Sequence, residues 1–382
     1  MPARPPVADE EIRGAEAVVD LAALRSNVAT LKASTRAEVM AVVKADGYGH
    51  GLLRSARSAL EGGATWLGTA ALDEALALRA DGISAPTLTW LWTTAEAEKV
   101  RRAIAVWVDI SVSSLWQLAI ACDAAGALAL PARIHLKIDT GLSRNGCYVA
   151  DWPDLVTAAA KAQAGGAVEV VGIWSHFAYA DQPGHPMISR QISAFRAALD
   201  VAARAGVEPE LRHLANSAAT LTLPEAHFDL VRPGIAIYGL SPVPPRGDFG
   251  LKPAMTLRSR LASVKRVSAG EGVSYGHEYT TAAETTLVLV PLGYADGVPR
   301  TATNRGPVSI RGSRFTISGR VCMDQFVVDV GDFPVTVDDG VVLFGPGYDG
   351  EPTAQDWADA VGSIHYEIVT RVGSRLPRYY IG

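Results

Sequence analysis

The sequence predicts an α/β protein, in which an N-terminal (β/α)8 TIM-type barrel is followed by a mainly-β C-terminal domain. Between residues 20 and 232, eight short apolar runs alternate with helix-like segments, and their number and spacing match such a barrel. After Gly239, short runs of Val, Leu, Thr, Ile and Phe alternate with Gly and Pro, which is typical of β-sheet. A doubly wound open sheet is the competing layout, but no GxGxxG motif follows the first strand, which weighs against a dinucleotide-binding version.

The barrel strands are predicted from apolar runs, many of them β-branched, that end at turn-forming residues. In chain order the predicted strands are Val39–Val43, Trp66–Ala70, Thr87–Leu91, Val106–Val112, Ala132–Ile138, Val168–Trp174, Leu211–Leu214 and Leu230–Arg232.

The intervening helices are predicted from capping residues at their starts and glycines at their ends. Asp20 is expected to cap the first helix, which has Leu21, Leu24, Val28 and Leu31 on one face. The predicted helices run from Asp20 to Leu31, Leu52 to Gly62, Leu72 to Arg79, Ala95 to Ala103, Leu115 to Ala125, Asp151 to Gly165 and Ile188 to Ala205, with a short one from Ser217.

The second domain is predicted from a Pro-rich linker, Ser241–Gly247, and from the strand-like runs beyond it. We expect the barrel to span residues 14–240 and the β domain to span residues 250–382, with residues 1–13 packing against the β domain. Its predicted elements are strands Thr286–Pro291, Val308–Arg311, Phe315–Ile317, Phe326–Val330 and Val341–Phe344, and a helix Ala354–Ala360.

Composition excludes several classes of protein. The 382 residues are 48% hydrophobic and 20% charged, which allows about two packed domains and excludes a disordered chain. The net charge of −5 and the lack of a Lys/Arg block give no indication of nucleic-acid binding. Three widely spaced cysteines predict neither disulfides nor a metal site, as in a reducing cytoplasm. With no signal peptide evident and no apolar run near the ~20 residues of a membrane span, we expect a soluble cytoplasmic protein.

The stretch Val42–Gly51 carries the first chemical signal, because its strand ends at Lys44 and runs into a glycine-rich loop. A lysine held there is partly desolvated, so its neutral amine is accessible and can hold an aldehyde as a Schiff base. The alternative is a lysine that closes a strand with its head group in water.

Further polar residues fall at the C-terminal ends of the strands, where barrel active sites lie. They are Lys44, Lys137, Arg144, His176, His213, Asn216, Ser217 and Arg232. Taken singly, Arg144 could be a solvated loop charge and the histidines could be core residues. The loops after strands seven and eight often bind phosphate, and here they contain Asn216–Ser217 and Gly234–Ile235. A Schiff-base lysine with a phosphate cradle indicates pyridoxal 5'-phosphate (PLP), an electron sink for amino-acid chemistry.

Eight motifs together give the chain a resemblance to the alanine racemases over nearly its whole length. They are Ala41–Gly51, Lys137–Gly146, Ser175–Ala178, His213–Ser217, Arg232–Gly239, Gly272–Gly276, Gly293–Gly297 and Cys322–Gln325.

The resemblance implies that L- and D-alanine are interconverted through a PLP aldimine by two bases, supplying D-alanine for cell-wall peptidoglycan. Lys44, which carries PLP, is the base on one face. Tyr275 from the other subunit of a homodimer with shared active sites is the base on the opposite face. The implied cofactor-binding residues are Lys44, Tyr48, His176, Asn216, Ser217, Arg232, Gly234 and Ile235.

The resemblance also implies roles around the substrate. Arg144 and Met323 bind the substrate carboxylate, and Lys137, His213 and Asp324 support the site. Lys137 matches a position that is carbamylated in some members. The entry corridor is implied to consist of Asp181, Tyr294, Arg300 and Arg320. One departure is Ser374, where many members have a phosphate-binding tyrosine.

Three other functions remain open on the sequence. A PLP-dependent decarboxylase shares this architecture. A decarboxylase is expected to have an acid in place of Arg232 and to lack the Tyr275 motif. A PLP homeostasis protein is a single barrel, which the residues after Gly250 disfavour. A racemase of serine or another small amino acid is poorly separated by sequence, because one hydroxyl changes pocket energies little.

Overall fold

The computed structural model describes Ile12 and Gly14–Gly382, which form two compact units. The barrel unit comprises Leu24–Gly47 and Leu52–Lys252. The β unit comprises the described residues up to Ala23 together with Tyr48–Gly51 and Pro253–Gly382. The predicted fold class, a (β/α)8 barrel followed by a mainly-β domain, is confirmed.

The first strand of the chain, β1 (Glu16–Asp20), differs from the prediction, which placed residue 14 onwards in the barrel. It lies in a sheet of the β unit, between two strands from the C-terminal part of the chain. All five of its residues are buried, so it gives no alternating pattern that would identify it from sequence. Residues 1–13 were predicted to pack against the β domain, but all of them except Ile12 lie outside the described residues. The Ile12 carbonyl accepts a hydrogen bond from Nε of Arg260 at 2.7 Å.

Eight parallel strands form the barrel, in the spatial order β8-β7-β6-β5-β4-β3-β2-β9. The edge strands β8 and β9 are joined by hydrogen bonds from Asp229 N–H to the Arg212 carbonyl (3.0 Å) and from Arg232 N–H to the Ala215 carbonyl (2.9 Å). The strands are β2 (Glu38–Val42), β3 (Trp66–Ala71), β4 (Thr87–Leu91), β5 (Asp109–Val112), β6 (Ala132–Lys137), β7 (Val168–Trp174), β8 (Leu211–His213) and β9 (Leu230–Val231).

The predicted helices are present, with shifted ends. Asp20 caps the first as expected, since its Oδ1 accepts the Ala23 N–H at 3.0 Å. Gly126 does not stop the sixth helix, which ends at the left-handed Ala129. The observed bounds of these helices are α1 (Leu21–Ala33), α3 (Leu52–Glu61), α4 (Leu72–Ala80), α5 (Ala97–Ala105), α6 (Leu115–Leu128), α7 (Trp152–Ala164), α8 (Pro186–Arg204) and α9 (Ser217–Thr222). Between α1 and α3 lies α2 (Lys44–Tyr48), a left-handed turn that the sequence did not predict.

The β unit contains a six-stranded sheet, a three-stranded sheet and a hairpin. In the largest sheet β1 pairs antiparallel with β10 and parallel with β19, the last strand of the chain. Its other elements are β10 (Met255–Arg260), β11 (Ser263–Val267), β12 (Gly272–Val273), β13 (Tyr279–Thr280), β14 (Thr285–Val290), β15 (Pro307–Ile310), β16 (Ser313–Thr316), β17 (Phe326–Gly331), β18 (Gly340–Phe344), α10 (Ala354–Val361), α11 (His365–Thr370) and β19 (Arg378–Ile381).

A buried ion pair joins β1 to β10. Glu16 and Arg258 are both almost fully buried, and Oε1 of Glu16 accepts hydrogen bonds from Nε and Nη2 of Arg258 at 2.8 and 2.7 Å. Breaking a buried pair is strongly destabilising because it leaves one charge uncompensated.

Replacing Glu16 by Ala is therefore expected to lower the free energy of unfolding by about 3–5 kcal/mol, measured by urea denaturation. Glu98→Ala, which removes the exposed ion pair with Arg101, is the matched control and should change stability far less. Equal effects of the two substitutions would show that burial of the Glu16–Arg258 pair does not stabilise the sheet.

Candidate functional site

Lys44 follows β2 at the C-terminal end of the barrel and is half-buried. Its Nζ lies 5.9 Å from the centre of the Trp90 ring. Burial, and to a lesser degree the charge of Arg144, lowers the pKa of Lys44, while Glu74 opposes this shift. The structure therefore favours a more readily deprotonated amine at this position, as the nucleophile hypothesis requires.

The chain after Lys44 forms a left-handed turn rather than the predicted open loop. Ala45, Asp46, Gly47 and Tyr48 all have φ between 52° and 62°. Each non-glycine residue in this conformation costs about 1–2 kcal/mol, so the turn must be held from outside. Ala45 N–H donates to Glu74 Oε1 at 2.6 Å, and Asp46 Oδ1 accepts the N–H of Leu52 at 2.8 Å. These contacts fix the direction in which the chain leaves Lys44.

Lys137 ends β6 and is almost fully buried, with its Nζ 4.2 Å from the centre of the Trp174 ring. Burial, together with the charges of Arg232 and Arg144, lowers the pKa of Lys137 to about 7. A large share of this side chain is therefore neutral at physiological pH, which is unusual for a lysine.

The loop that carries Arg144 is folded back on the end of β6. Oδ1 of Asp139 accepts three consecutive backbone N–H groups, those of residues 141–143, at 2.8–3.2 Å. Cys147 N–H donates to the Lys137 carbonyl at 2.8 Å, which closes the loop. Arg144 itself is exposed, but its positive charge helps to lower the pKa of Lys44, Lys137 and His176. It is therefore more than a solvated loop charge.

Arg232 follows β9 and is buried with its guanidinium among hydrogen-bond acceptors. Nη1 lies 3.2 Å from Nδ1 of His213, and Nη2 donates to the carbonyl of Ser175 at 2.7 Å. Nη2 also lies 3.3 Å from Nδ1 of His176. Burial lowers the pKa of Arg232 to about 9, which leaves the guanidinium charged at neutral pH.

Two histidines beside Arg232 are held neutral. Burial and the nearby guanidinium lower the pKa of His176 and of His213 well below the ordinary histidine value. The His213 ring stacks on Trp174, with centroids 5.6 Å apart. Each ring therefore offers a nitrogen acceptor to the arginine.

Two loops meet at the residues predicted to hold a phosphate. Ser217 Oγ accepts the N–H of Gly234 at 2.8 Å, which ties the loop after β8 to the loop after β9. Gly234 precedes a 3₁₀ turn, Ile235–Tyr238. Asn216 caps α9 through a bond from the Ala219 N–H at 3.1 Å, so its side chain shapes the loop from within.

In the β unit, Tyr275 is 72% exposed on a sharply turned segment. Its neighbours Ser274, Gly276 and His277 have positive φ values of 63°, 74° and 47°, which most residues avoid. Ser274 Oγ donates to the Arg320 carbonyl at 2.7 Å and anchors the segment.

Met323 lies in the same unit, where the turn at Gly293 packs against its backbone. The Ala295 N–H donates to the Met323 carbonyl at 3.0 Å. A Cβ at Gly293 would lie 2.3 Å from that carbonyl oxygen, so only glycine permits this approach. Asp324, next along the chain, accepts from Nη1 of Arg375 at 2.7 Å.

The predicted corridor residues are divided between the two units. Arg320 pairs with Glu278 through Nε at 2.7 Å, and Arg300 also acts on the Glu278 carboxylate. Tyr294, at the start of a 3₁₀ turn, is half-exposed. Asp181 is exposed in the barrel unit. Ser374, the departure from the family pattern, is exposed in the β unit.

Several residues of the site were missed by the sequence analysis. Trp174 ends one predicted strand and Trp90 is the second-last residue of another, and the sequence predicts no role in the site for either. Glu74 was hidden in a helix, although an acid in the first turn is a common capping signal. Asp109 and His135 interrupt the apolar strands β5 and β6, and a polar residue inside such a run is the signal that could have identified them.

Comparison with known proteins identifies the family. The alanine racemase N-terminal domain matches residues 19–242, and the alanine racemase C-terminal domain matches residues 254–380. The alanine racemase of Salinispora arenicola is 60% identical over 369 residues, which cover 96% of this chain and 98% of that protein. This chain belongs to the alanine racemase family. The resemblance read from the motifs is thereby confirmed.

Solved structures of alanine racemases agree with this assignment. The enzyme from D-cycloserine-producing Streptomyces lavendulae matches with a TM-score of 0.95 and 55% identity, over 97% of each chain. The Bacillus anthracis alanine racemase with bound L-Ala-P matches with a TM-score of 0.90 and 34% identity, over 97% of this chain and 95% of that one. Among the helices of Ile12 and Gly14–Gly382, none is both long and apolar enough to cross a bilayer.

Alanine racemases depend on PLP, and the donor set of the barrel fits that cofactor. A readily deprotonated lysine amine suits the aldehyde, and the buried guanidinium of Arg232 can donate to a ring nitrogen. Ser217 and the backbone at Gly234–Ile235 suit a phosphate.

The lowered pKa of His213 makes a prediction about acid stability. Because the unfolded ring binds a proton more readily than the folded one, the free energy of unfolding should fall as pH drops below about 6.5. We expect His213→Gln to make the dependence of the free energy of unfolding on pH shallower by up to about 1.4 kcal/mol per pH unit. The measurement is urea denaturation from pH 7 to 5, with the exposed His277→Gln as the control. An unchanged slope would contradict a neutral His213.

Proposed function

We propose that this chain interconverts L-alanine and D-alanine with PLP, using Lys44 of one subunit and Tyr275 of the partner subunit as two bases. The small amino-acid substrate and the cofactor are those of the family. The observation that carries the proposal is the half-buried Lys44, 5.9 Å from the Trp90 ring and with a lowered pKa, which follows β2 as the buried Arg232 follows its partner strand β9. Such a combination supplies an amine that can act as nucleophile and base within a cationic pocket.

Racemisation requires that the α-proton leave from one face and that a proton return to the other. When bound, PLP supplies an electron sink for the negative charge left at the α-carbon. The half-buried Lys44 amine removes or returns the proton on one face, because its lowered pKa brings its neutral form toward working pH. The left-handed turn that follows Lys44 holds the backbone from which the side chain extends.

Arg232 limits how far negative charge spreads from the substrate. A guanidinium only donates hydrogen bonds, so a ring nitrogen placed against it receives no proton. We infer that this keeps the electron sink weak and favours prompt return of the proton to the α-carbon. Such a restraint suits racemisation, whereas a carboxylic acid in this place would favour longer-lived charge.

The second base and the substrate carboxylate complete the proposed site. Tyr275 is exposed and therefore available to a partner subunit in a homodimer. Arg144 and a hydrogen bond to His176 are proposed to assist its phenol as a base. Arg144 and the backbone N–H of Met323 are proposed to bind the substrate carboxylate, with Asp324 in support.

The phosphate of the cofactor is assigned to the loops after β8 and β9. Ser217 and the backbone of Gly234 and Ile235 supply donors, and Asn216 shapes the loop by capping α9. Tyr48 is the fifth proposed contributor; burial raises its pKa, so its hydroxyl stays protonated and can donate. Asp181, Tyr294, Arg300 and Arg320 are proposed to line the corridor to this site.

The decisive assay follows α-proton exchange and enantiomer ratio in heavy water, starting separately from L-alanine and from D-alanine. The wild-type protein should deuterate and racemise both, and loss of carboxylate as CO2 would instead indicate a decarboxylase. L-serine tested in parallel measures the breadth of the substrate.

Tyr275→Phe is expected to lower exchange by about 10²–10⁴-fold, the usual contribution of a general base, and to do so more from one enantiomer than the other. The asymmetry arises because only one face loses its base. Tyr348→Phe, at another exposed tyrosine of the β unit, is the control. Equal small losses from both enantiomers would rule out the two-base assignment.

Carbamylation of Lys137 is a further expectation from its pKa of about 7, since only a neutral amine reacts with CO2. The resulting anion would face Arg144 and Arg232 and help to position Arg144. We expect a carbamate resonance from ¹³C-bicarbonate by NMR, absent in Lys137→Arg and weakening as pH falls below about 7 because the amine protonates. Lack of any such signal at pH 8 under excess bicarbonate would show that Lys137 acts as an unmodified lysine.

A further inference from the structure

A column of buried polar side chains runs from Arg232 into the interior of the barrel. Beyond the contact between Arg232 and His213, Nε2 of His213 lies 2.9 Å from Nδ1 of His135. Nε2 of His135 lies 3.2 Å from Oδ2 of Asp109. All four side chains are buried. The column is unusual because branched apolar side chains ordinarily fill the interior of such a barrel.

The two ends of the column determine where each proton lies. Arg232 can only donate, so Nδ1 of His213 must accept. A neutral imidazole has one N–H, which His213 therefore presents from Nε2 to Nδ1 of His135. His135 in turn donates from Nε2 to the Asp109 carboxylate. Every hydrogen bond thus points from the guanidinium toward the carboxylate.

The carboxylate end of the column is anchored at the N-terminal ends of the strands. Oδ1 of Asp109 accepts from Nε of Arg133 at 3.0 Å. Nη1 of Arg133 also donates to Glu169 at 2.9 Å, and Glu169 is partly exposed. Asp109 and Glu169 share the same arginine, and Asp109 also accepts the hydrogen bond from His135.

Space for the column is provided by Gly172, which is opposite His135 in the β6–β7 pairing. A Cβ at Gly172 would lie 2.3 Å from Nδ1 of His135 and 2.8 Å from its Cε1. Any side chain there would force the imidazole to move. Gly172 therefore permits the contact between His135 and His213 without contributing a polar group of its own.

We propose that Asp109 and His135 are positioning residues of the reaction, which fix the tautomer of His213 and thereby keep an acceptor in front of Arg232. The proposal rests on the proposed function, in which Arg232 donates to the cofactor ring. Without the Asp109 charge, the two rings can adopt the opposite tautomer, with a His213 N–H turned toward the guanidinium. Arg232 would then lose a hydrogen bond and shift from its place.

The test uses the PLP-loaded enzyme labelled with ¹⁵N-histidine, whose ring-nitrogen shifts report the tautomer directly. In the wild-type enzyme His135 and His213 should both carry the proton on Nε2, assigned by the loss of each signal in His135→Gln and His213→Gln. Asp109→Asn should shift both rings away from this tautomer. Glu169→Gln, the same change of acid to amide on the same arginine, should leave both rings unchanged.

Kinetics provide the second readout. Asp109→Asn should lower kcat for alanine racemisation by about 10- to 100-fold, as loss of a supporting partner typically does, with little change in KM because neither residue touches the substrate. Gly172→Ala should lower kcat by a similar factor, because it displaces the His135 ring while every polar group of the column is retained. This variant tests the proposal even if Asp109→Asn fails to fold. Glu169→Gln should retain wild-type kcat.

An Nδ1–H tautomer at either ring in the wild-type enzyme would overturn the proposal, as would unchanged tautomers and kcat in Asp109→Asn. Failure of the proposed function is recognised separately, because the wild-type enzyme would then not racemise alanine whatever the tautomers are. The NMR result depends only on the column and stands without the assay.

Discussion

The buried guanidinium of Arg232 is the group on which the rest of the barrel site depends. A charge inside a protein is tolerated only when hydrogen bonds replace those it made to water. Here the replacements are two histidine nitrogens, main-chain carbonyls and the face of Trp174, 4.8 Å from the guanidinium carbon. None of these acceptors carries a negative charge. The positive charge is therefore felt by its neighbours, and it contributes to lowering the pKa of Lys137, His176 and His213.

This excess of positive charge explains how ordinary residue types acquire unusual behaviour. Lys44 and Lys137 are less readily protonated because each is desolvated and faces other cations. Two tryptophans provide apolar surface beside the lysines while offering their electron-rich faces to the ammonium groups. The arrangement favours anions such as phosphate and carboxylate, which are the charged groups of PLP and of an amino acid.

Backbone strain occurs in both units at residues proposed for catalysis. Four consecutive left-handed residues follow Lys44, and three residues with positive φ surround Tyr275. Strain of this kind persists only where the surroundings impose it, as Glu74 does for the first turn and the Arg320 carbonyl does for the second. Its concentration at these two positions is consistent with side chains that must be presented in one direction.

The barrel is predictable from local sequence, because strands such as Thr87–Leu91 and Val168–Trp174 are rich in apolar and β-branched residues, and their predicted bounds match the observed ones. The sequence also indicated most of the polar residues at the strand ends through local motifs. It did not reveal β1 in the sheet of the β unit, nor the column from Arg232 to Asp109, since both depend on partners far apart in the chain. These features appear only in the folded chain, because burial and the pairing of residues far apart in sequence set the protonation of the polar groups and the partners of the strand.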